Sequence, residues 1–337
     1  MAPYSPPTAG RAGKLRLDFN ENTCGCSPRV IELLRQQLSA DGLSVYPEYG
    51  DARRELAAFF RVQPEQLLLT NGTDEAIQVV LNTYVDDGDE VILLRPSYAM
   101  YRFYAEVAGA AIREIDYRPD DLAFPLEELV EAIRPSTRAV IIANPNNPTG
   151  TGVSLAGIER MLEKASDAAV VIDEAYYEFC GVTALPLVGQ KNLFVSRTFS
   201  KVYGMAGMRL GCLFSRAENI AFLHKAQSPY SVNSLAALAA RAAIRDRAYV
   251  ENYVAEVLAA RDLLYEELDR LKIPYFRSQG NFVLVRFGER AIEIRDRLRQ
   301  TGVLVRDRSY EIAGCVRVTV GTRDQVQRFL SELEGIW

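Results

Sequence analysis

No apolar run in this sequence approaches the length of a membrane span, and the opening residues, MAPYSPPTAGRAGKLRLDF, lack the apolar centre of a signal peptide. A soluble, cytoplasmic protein with no membrane partner is the expectation. An excess of basic charge is missing too: Lys and Arg number 39 against 44 Asp and Glu, a net charge of −5 with a pI near 5.3. Phosphate backbones are met by basic surfaces, so no nucleic-acid partner is expected, although a local basic pocket stays open. The cysteines at 24, 26, 180, 212 and 315 form no CxxC pair, and their odd number suits reduced thiols. Cys24 and Cys26 have no His or further Cys beside them to complete a metal site, so none is expected. There is no low-complexity tract and no repeat of fixed period. A GxGxxG turn after the first strand is also lacking, since Gly150, Gly152 and Gly157 have the wrong spacing. That argues against a nicotinamide dehydrogenase.

What is present is a chain of 337 residues, 48% hydrophobic and 25% charged, enough for two domains or one large α/β unit. Short apolar runs recur at QLLLT (66–70), EVILL (90–94), AVIIA (139–143), AVVID (169–173) and NLFVS (192–196), with helical stretches between them. Strands alternating with helices predict a mainly parallel sheet covered by helices on both faces. In such sheets the ligand site lies beyond the carboxyl ends of the strands. From about residue 234 the pattern changes to long amphipathic helices, followed by the strand-like NFVLVRF (281–287), GVLVR (302–306) and CVRVTVG (315–321) and a last helix from Thr322. The expected fold is α/β, with a large domain over 41–237 and a smaller α+β domain built from 1–40 and 238–337. The helix near Arg29 to Leu38, with a thin apolar face, is expected to pack on the small domain.

Residues with chemical potential follow the predicted strands. Gly72, Thr73 and Asp74 open a helix, where free backbone N–H groups suit a phosphate, with Asp74 as a cap; an ordinary capped helix is the other reading. Tyr98 follows a strand end, where it could stack on a flat ring or belong to the core. Asn144 to Gly150 is a long turn-forming loop in which Asn147 offers an amide donor. Asp173 ends a buried run and needs a cationic partner, which a protonated pyridine nitrogen or a structural salt bridge would supply; Tyr176 lies three residues on. Lys201 stands among small and hydroxyl residues ahead of Arg209 in a glycine-punctuated loop. The segment reads either as a Schiff-base lysine beside a phosphate-binding arginine or as a surface lysine before a flexible loop. Arg317 and Arg306 sit in apolar strands, where a guanidinium binds a carboxylate or phosphate bidentately or snorkels from a sheet edge.

Over roughly residues 15 to 335 the chain resembles the fold-type I pyridoxal-phosphate (PLP) aminotransferases, and most closely the histidinol-phosphate aminotransferase family. The motifs run in order: NEN (20–22), YPEYGD (46–51), NGTDEAI (71–77), RPSYAMY (95–101), NPNNPTG (144–150), IDEAYYEF (172–179), SRTFSKVYGMAGMRLG (196–211), SPYSVNSLA (228–236), GNFVLV (280–285) and RVTVG (317–321). The resemblance implies that Lys201 carries the cofactor and shuttles the proton, Tyr98 stacks on its ring, Asp173 pairs with the ring nitrogen, and Asn147 and Tyr176 bind the ring oxygen. It implies that Gly72, Thr73, Thr198, Ser200 and Arg209, with Asp74 beside them, hold the phosphate, joined by Tyr46 of a second subunit, hence a homodimer. Arg317, Arg306, Asn22 and Tyr230 would meet the substrate. The implied reaction is a ping-pong transamination between a small amino donor, histidinol phosphate, and a 2-oxo acid, 2-oxoglutarate, within histidine biosynthesis. Where relatives continue NEN with Pro and an aromatic, this chain has Thr23 and Cys24. That departure keeps aromatic amino acids open as donors, and a phospho-amino-acid decarboxylase would use nearly the same pocket.

Overall fold

The computed structural model describes residues 8–337; residues 1–7, part of the expected N-terminal arm, lie outside the described residues. The described strands in chain order are β1 (Leu15–Leu17), β2 (Leu67–Thr70), β3 (Glu90–Arg95), β4 (Ala111–Asp116), β5 (Thr137–Ala143), β6 (Ala169–Asp173), β7 (Leu193–Thr198), β8 (Gly211–Phe214), β9 (Tyr275–Phe276), β10 (Phe282–Arg286), β11 (Val303–Asp307) and β12 (Cys315–Thr319). Seven of them form one sheet in the order β2-β8-β7-β6-β5-β3-β4, parallel except for β8. This is the α/β sheet the sequence predicts, and each of the five apolar runs is one of its strands. β4 and β8 are not among the predicted strands. β4 is an edge strand, AIREID, with no fully buried residue, so it gives no apolar run, and β8 has only four residues.

Alternation along the central strands sends successive side chains to opposite layers. On one side Val171, Phe194, Ile141 and Leu93 pack with Ile77, Val80 and Tyr101; on the other Ile172, Val195, Ile142 and Ile92 join the larger core. Burying each such aliphatic side chain contributes roughly 2 kcal/mol. The covering helices begin where the sequence supplies caps. Ser154 caps Leu155–Lys164, Asn233 caps Ser234–Arg245, and Thr322 with Gln325 forms a capping box on Arg323–Glu334.

The second sheet has the order β1-β11-β12-β10-β9. β1, not found in the sequence, pairs in parallel with β11, Leu15 beside Val303 and Leu17 beside Val305, so the N-terminal segment belongs to this sheet. That pairing supports the division expected from the sequence, which we propose for the domains. The helix Pro28–Gln37 packs against Ser234–Arg245, at the seam of that division. No helix of the described residues is long and apolar enough to cross a membrane.

Candidate active site

The carboxyl ends of β6 and β7 and the start of the helix Gly72–Tyr84 meet the β11–β12 hairpin around a cavity of ≈ 270 Å³. Its lining includes Thr73, Asp74, Tyr98, Asn147, Asp173, Tyr176, Thr198, Ser200, Lys201, Arg209, Arg306 and Arg317. Twelve residues singled out from the sequence thus converge on one place. A larger groove of ≈ 910 Å³ adjoins it along Tyr98 and Tyr101 but holds no lysine.

Lys201 Nζ reaches into the cavity, donates to the carbonyl oxygen of Phe19 at 2.9 Å and lies 5.7 Å from the centre of the Tyr176 ring. Its loop is held from the N-terminal segment. The Asn22 amide donates to the Val202 carbonyl at 2.8 Å while its oxygen accepts the N–H groups of Cys24 and Gly25. Gly204 lies directly against the Gly25 backbone, where any Cβ would collide. Asn22 is therefore buried outside the lining and positions the lysine loop. The Cys24–Cys26 segment packs on the helix Arg247–Arg270, with Tyr249 donating to the Gly25 carbonyl at 3.0 Å. Cys24 is exposed and does not line the cavity; Phe19 and Glu21 do. Burial pushes the Glu21 carboxyl up, but its two hydrogen bonds and ion pair with Arg11 prevail, helped by Arg16 and Lys201, and hold it below its usual value.

Asp173 sits at the cavity floor, 4% exposed. No cation of the chain pairs with it among the described residues. Instead Tyr101 donates to one carboxylate oxygen at 2.7 Å and Ser196 to the other at 2.8 Å. Burial raises its pKa, the two hydroxyls working against that shift. Tyr101, itself fully buried, is pushed well above its ordinary value by burial and by the Asp173 charge. Neither hydroxyl was singled out from the sequence. The signal for Ser196 was its register, since it lies beside Asp173 across β6 and β7.

At the helix start, Gly72 has φ +74°, and a Cβ there would lie 2.5 Å from Arg209 Nη2. Only glycine lets the guanidinium come this close. Arg209 pairs with Asp74 at 3.0 Å, and Asp74 also accepts the Tyr98 hydroxyl at 3.0 Å. Asp74 is thus not the cap expected of it; Glu75 takes the Asn71 N–H at 2.6 Å. Thr198 Oγ1 accepts the Ser200 N–H at 3.0 Å, and Arg209 Nη1 stands 3.5 Å from Ser200 Oγ.

Arg306 and Arg317 are direct register partners across β11 and β12. Like charges placed opposite each other destabilise a sheet unless an anion sits between them. Arg317 donates to Asn147 Oδ1 and to the Asp18 carbonyl, both at 2.5 Å. With its oxygen committed to guanidinium groups, the donor end of the Asn147 amide is left for another ligand. Tyr176 Oη accepts from the Asn20 amide at 3.0 Å. Tyr46 and Tyr230 lie outside the cavity, stacked on each other with centroids 4.3 Å apart, 75% and 53% exposed. Arg308, which the sequence reading passed over, also lines the cavity. It stands two residues beyond Arg306, so strand alternation was the signal.

This arrangement belongs to a PLP-dependent aminotransferase: the chain is a member of the family "Aminotransferase class I and II", which matches it over residues 12–333. Among its relatives, histidinol-phosphate aminotransferase from Symbiobacterium thermophilum is 38% identical over 95% of this chain and 90% of its own length. Histidinol-phosphate aminotransferase 1 of Carboxydothermus hydrogenoformans is 34% identical over 100% of this chain and 96% of its own. In fold, the chain is similar to the histidinol-phosphate aminotransferase of Sinorhizobium meliloti in complex with pyridoxal-5′-phosphate, with a TM-score of 0.86 at 22% identity, covering 96% of this chain and 92% of that one.

The residues fit this cofactor. A buried carboxylate with only neutral donors awaits a cation, which the protonated ring nitrogen provides. A helix N-terminus, two hydroxyls and a guanidinium meet where a Cβ is excluded, a cradle for a phosphate. A lysine amine opens onto the same space.

Proposed function

We propose that the chain is a histidinol-phosphate transaminase, moving the amino group of histidinol phosphate to 2-oxoglutarate in histidine biosynthesis, in the cytoplasm. The observation that carries this reading is the direct pairing of Arg306 with Arg317 in the cavity that contains Lys201. Two opposed guanidiniums ask for an anion, and a phosphomonoester supplies two charges where a carboxylate supplies one. The names of the relatives at 34% and 38% identity point the same way.

Bound PLP supplies an aldehyde carbon for amine exchange and a ring that draws electron density from the donor's Cα. We assign the side chains the following roles. Asp173 keeps the ring nitrogen protonated, with Tyr101 and Ser196 orienting its carboxylate. Asn147 and Tyr176 would meet the ring oxygen, and Tyr98 would lie against the ring. Gly72, Thr73, Thr198, Ser200 and Arg209, the last now paired with Asp74, would hold the phosphate. The Lys201 amine, free on the same side of the cavity, would serve as the base that takes the proton from the donor's Cα and as the acid that gives it back. Arg306 and Arg317 hold the donor's anionic end, and the same pair receives a carboxylate of the 2-oxo acid in the second half-reaction.

The working unit is a homodimer. Tyr46, exposed and outside its own cavity, would complete the phosphate cradle of a second copy, with Tyr230 stacked on it. The test is a single half-reaction: PLP-loaded protein mixed with histidinol phosphate or with phenylalanine, no keto acid, following the cofactor's visible absorbance. Conversion by histidinol phosphate but not phenylalanine is expected. Conversion by phenylalanine alone would make the chain an aromatic aminotransferase, and carbon dioxide release from a phospho-amino acid would make it a decarboxylase. Lys201→Ala should give no conversion with either donor.

A further inference from the structure

Arg308 is 6% exposed, and its Nε has no hydrogen-bond partner among the described residues. A buried guanidinium nitrogen without an acceptor is costly, and here it belongs to a side chain lining the active cavity. The rest of the group is only partly answered. Nη1 donates to Tyr310 Oη at 2.6 Å, and Nη2 stands 3.4 Å from Asn147 Oδ1, the oxygen that Arg317 also uses. Glu311 Oε2 lies 3.1 Å from Nη1 as an ion pair without an aligned hydrogen bond, so that oxygen is also an orphan. Burial pushes the Glu311 carboxyl up, against the pull of Arg308, Arg317 and Arg306. One basic wall thus carries three guanidiniums, Arg306, Arg308 and Arg317, with Glu311 as the carboxylate ion-paired to Arg308.

A transaminase presents two different anions to the same wall in turn. On the proposed reading the donor carries a phosphomonoester, which has its second charge above a pKa of about 6, and the acceptor a singly charged carboxylate. Arg306 and Arg317 meet both anions, so a side chain that tells the two apart has to lie beyond that pair. We propose that Arg308 is the residue that recognises the second charge, a specificity group that gives its free Nε–H to a phosphomonoester, and that Glu311 neutralises it when a carboxylate takes the site. This rests on the phosphate-bearing donor proposed above.

Propyl phosphate and butyrate, which carry the two anions without an amine, are the probes. Each is titrated calorimetrically into PLP-loaded protein at fixed ionic strength. The parent should prefer propyl phosphate, and the preference should shrink as pH falls below about 6. Arg308→Gln should cut the phosphate-to-carboxylate preference about tenfold, the size of one charge-assisted hydrogen bond, and flatten its pH dependence. Glu311→Gln removes the neutralising charge without removing the arginine and should tighten butyrate binding several-fold. An Arg308→Gln protein with the parent's preference and pH dependence overturns the role of Arg308 and leaves the donor reading standing. A parent protein with no preference for propyl phosphate overturns both.

Discussion

Asp173 and Glu174 are consecutive, both buried, both at the end of β6, and they point to opposite layers of the sheet. Glu174 is saturated by the chain. Arg197 donates to it at 2.7 Å, Thr183 at 2.8 Å and the Ala184 N–H at 2.6 Å, and the Arg197 guanidinium lies 3.5 Å from the centre of the Tyr177 ring. Among the described residues, Asp173 receives two hydroxyls and no guanidinium or ammonium. Strand β7 makes the division by alternation: Ser196 bonds Asp173 and Thr198 lines the cavity, while Arg197 between them bonds Glu174 in the other layer. A carboxylate whose charge is answered inside the protein holds the fold together. One left with neutral donors is kept for a cation that arrives from outside.

Exchanging each acid for its amide sharpens the contrast. Asp173→Asn should fold like the parent, because the amide oxygen can still accept a hydroxyl, yet lose about 10³-fold in kcat/KM, roughly 4 kcal/mol of transition-state stabilisation. Glu174→Gln should do the reverse. It leaves Arg197 with no full counter-charge at its core and should lower stability by about 3 kcal/mol. Steady-state kinetics and urea midpoints on the two loaded proteins give the comparison. If Glu174→Gln lost activity as steeply as Asp173→Asn while keeping its midpoint, the two sides of β6 would not be divided as described.

Glu178, on the structural side, is the next test. It lies 3.9 Å from Arg197, too far to offset burial, which pushes its carboxyl from the ordinary 4.5 up to about 7. Between those values the folded chain holds a proton that the unfolded chain releases, so the contribution favours folding at low pH and is lost as pH rises through about 7. A shift of this size is worth on the order of 3 kcal/mol, and partial contact with water brings the expectation nearer ~2 kcal/mol. Glu178→Gln should therefore match the parent near pH 4.5 and be more stable by about 2 kcal/mol at pH 8, read as the difference between unfolding midpoints across pH. Parallel profiles would mean that Arg197 stabilises both acids.

The legibility of the sequence followed the same division. The apolar runs gave five strands of the large sheet, and ordered motifs gave Lys201, Asp173, Asn147, Tyr176 and Arg209 in one cavity. Less accessible were residues whose work depends on a partner far along the chain. Asn22 was expected to meet the substrate and Gly25 carried no signal; only the fold brings them to Val202 and Gly204. Asp74 looked like a cap because its helix start is local, whereas its partners Arg209 and Tyr98 are remote. Arg308 followed an arginine already chosen, and its burial, which makes it informative, belongs to the folded hairpin alone.

Tyr101 is the residue that most finely separates the two carboxylates, since its hydroxyl is what Asp173 has where Glu174 has Arg197. That hydrogen bond lowers the Asp173 carboxyl against the upward push of burial. Removing it in Tyr101→Phe leaves the ring packing and deletes one donor, so the carboxyl should titrate at higher pH than in the parent. Asp173 must be ionised to hold a protonated ring nitrogen, so the acid limb of the kcat/KM profile should move upward, with a loss of about tenfold or less at neutral pH. A merely structural role for Tyr101 would lower the whole profile without moving the limb. If the limb stays in place, Ser196 alone sets the charge of Asp173 and the hydroxyl pair is not the device that keeps this acid ready for its cation.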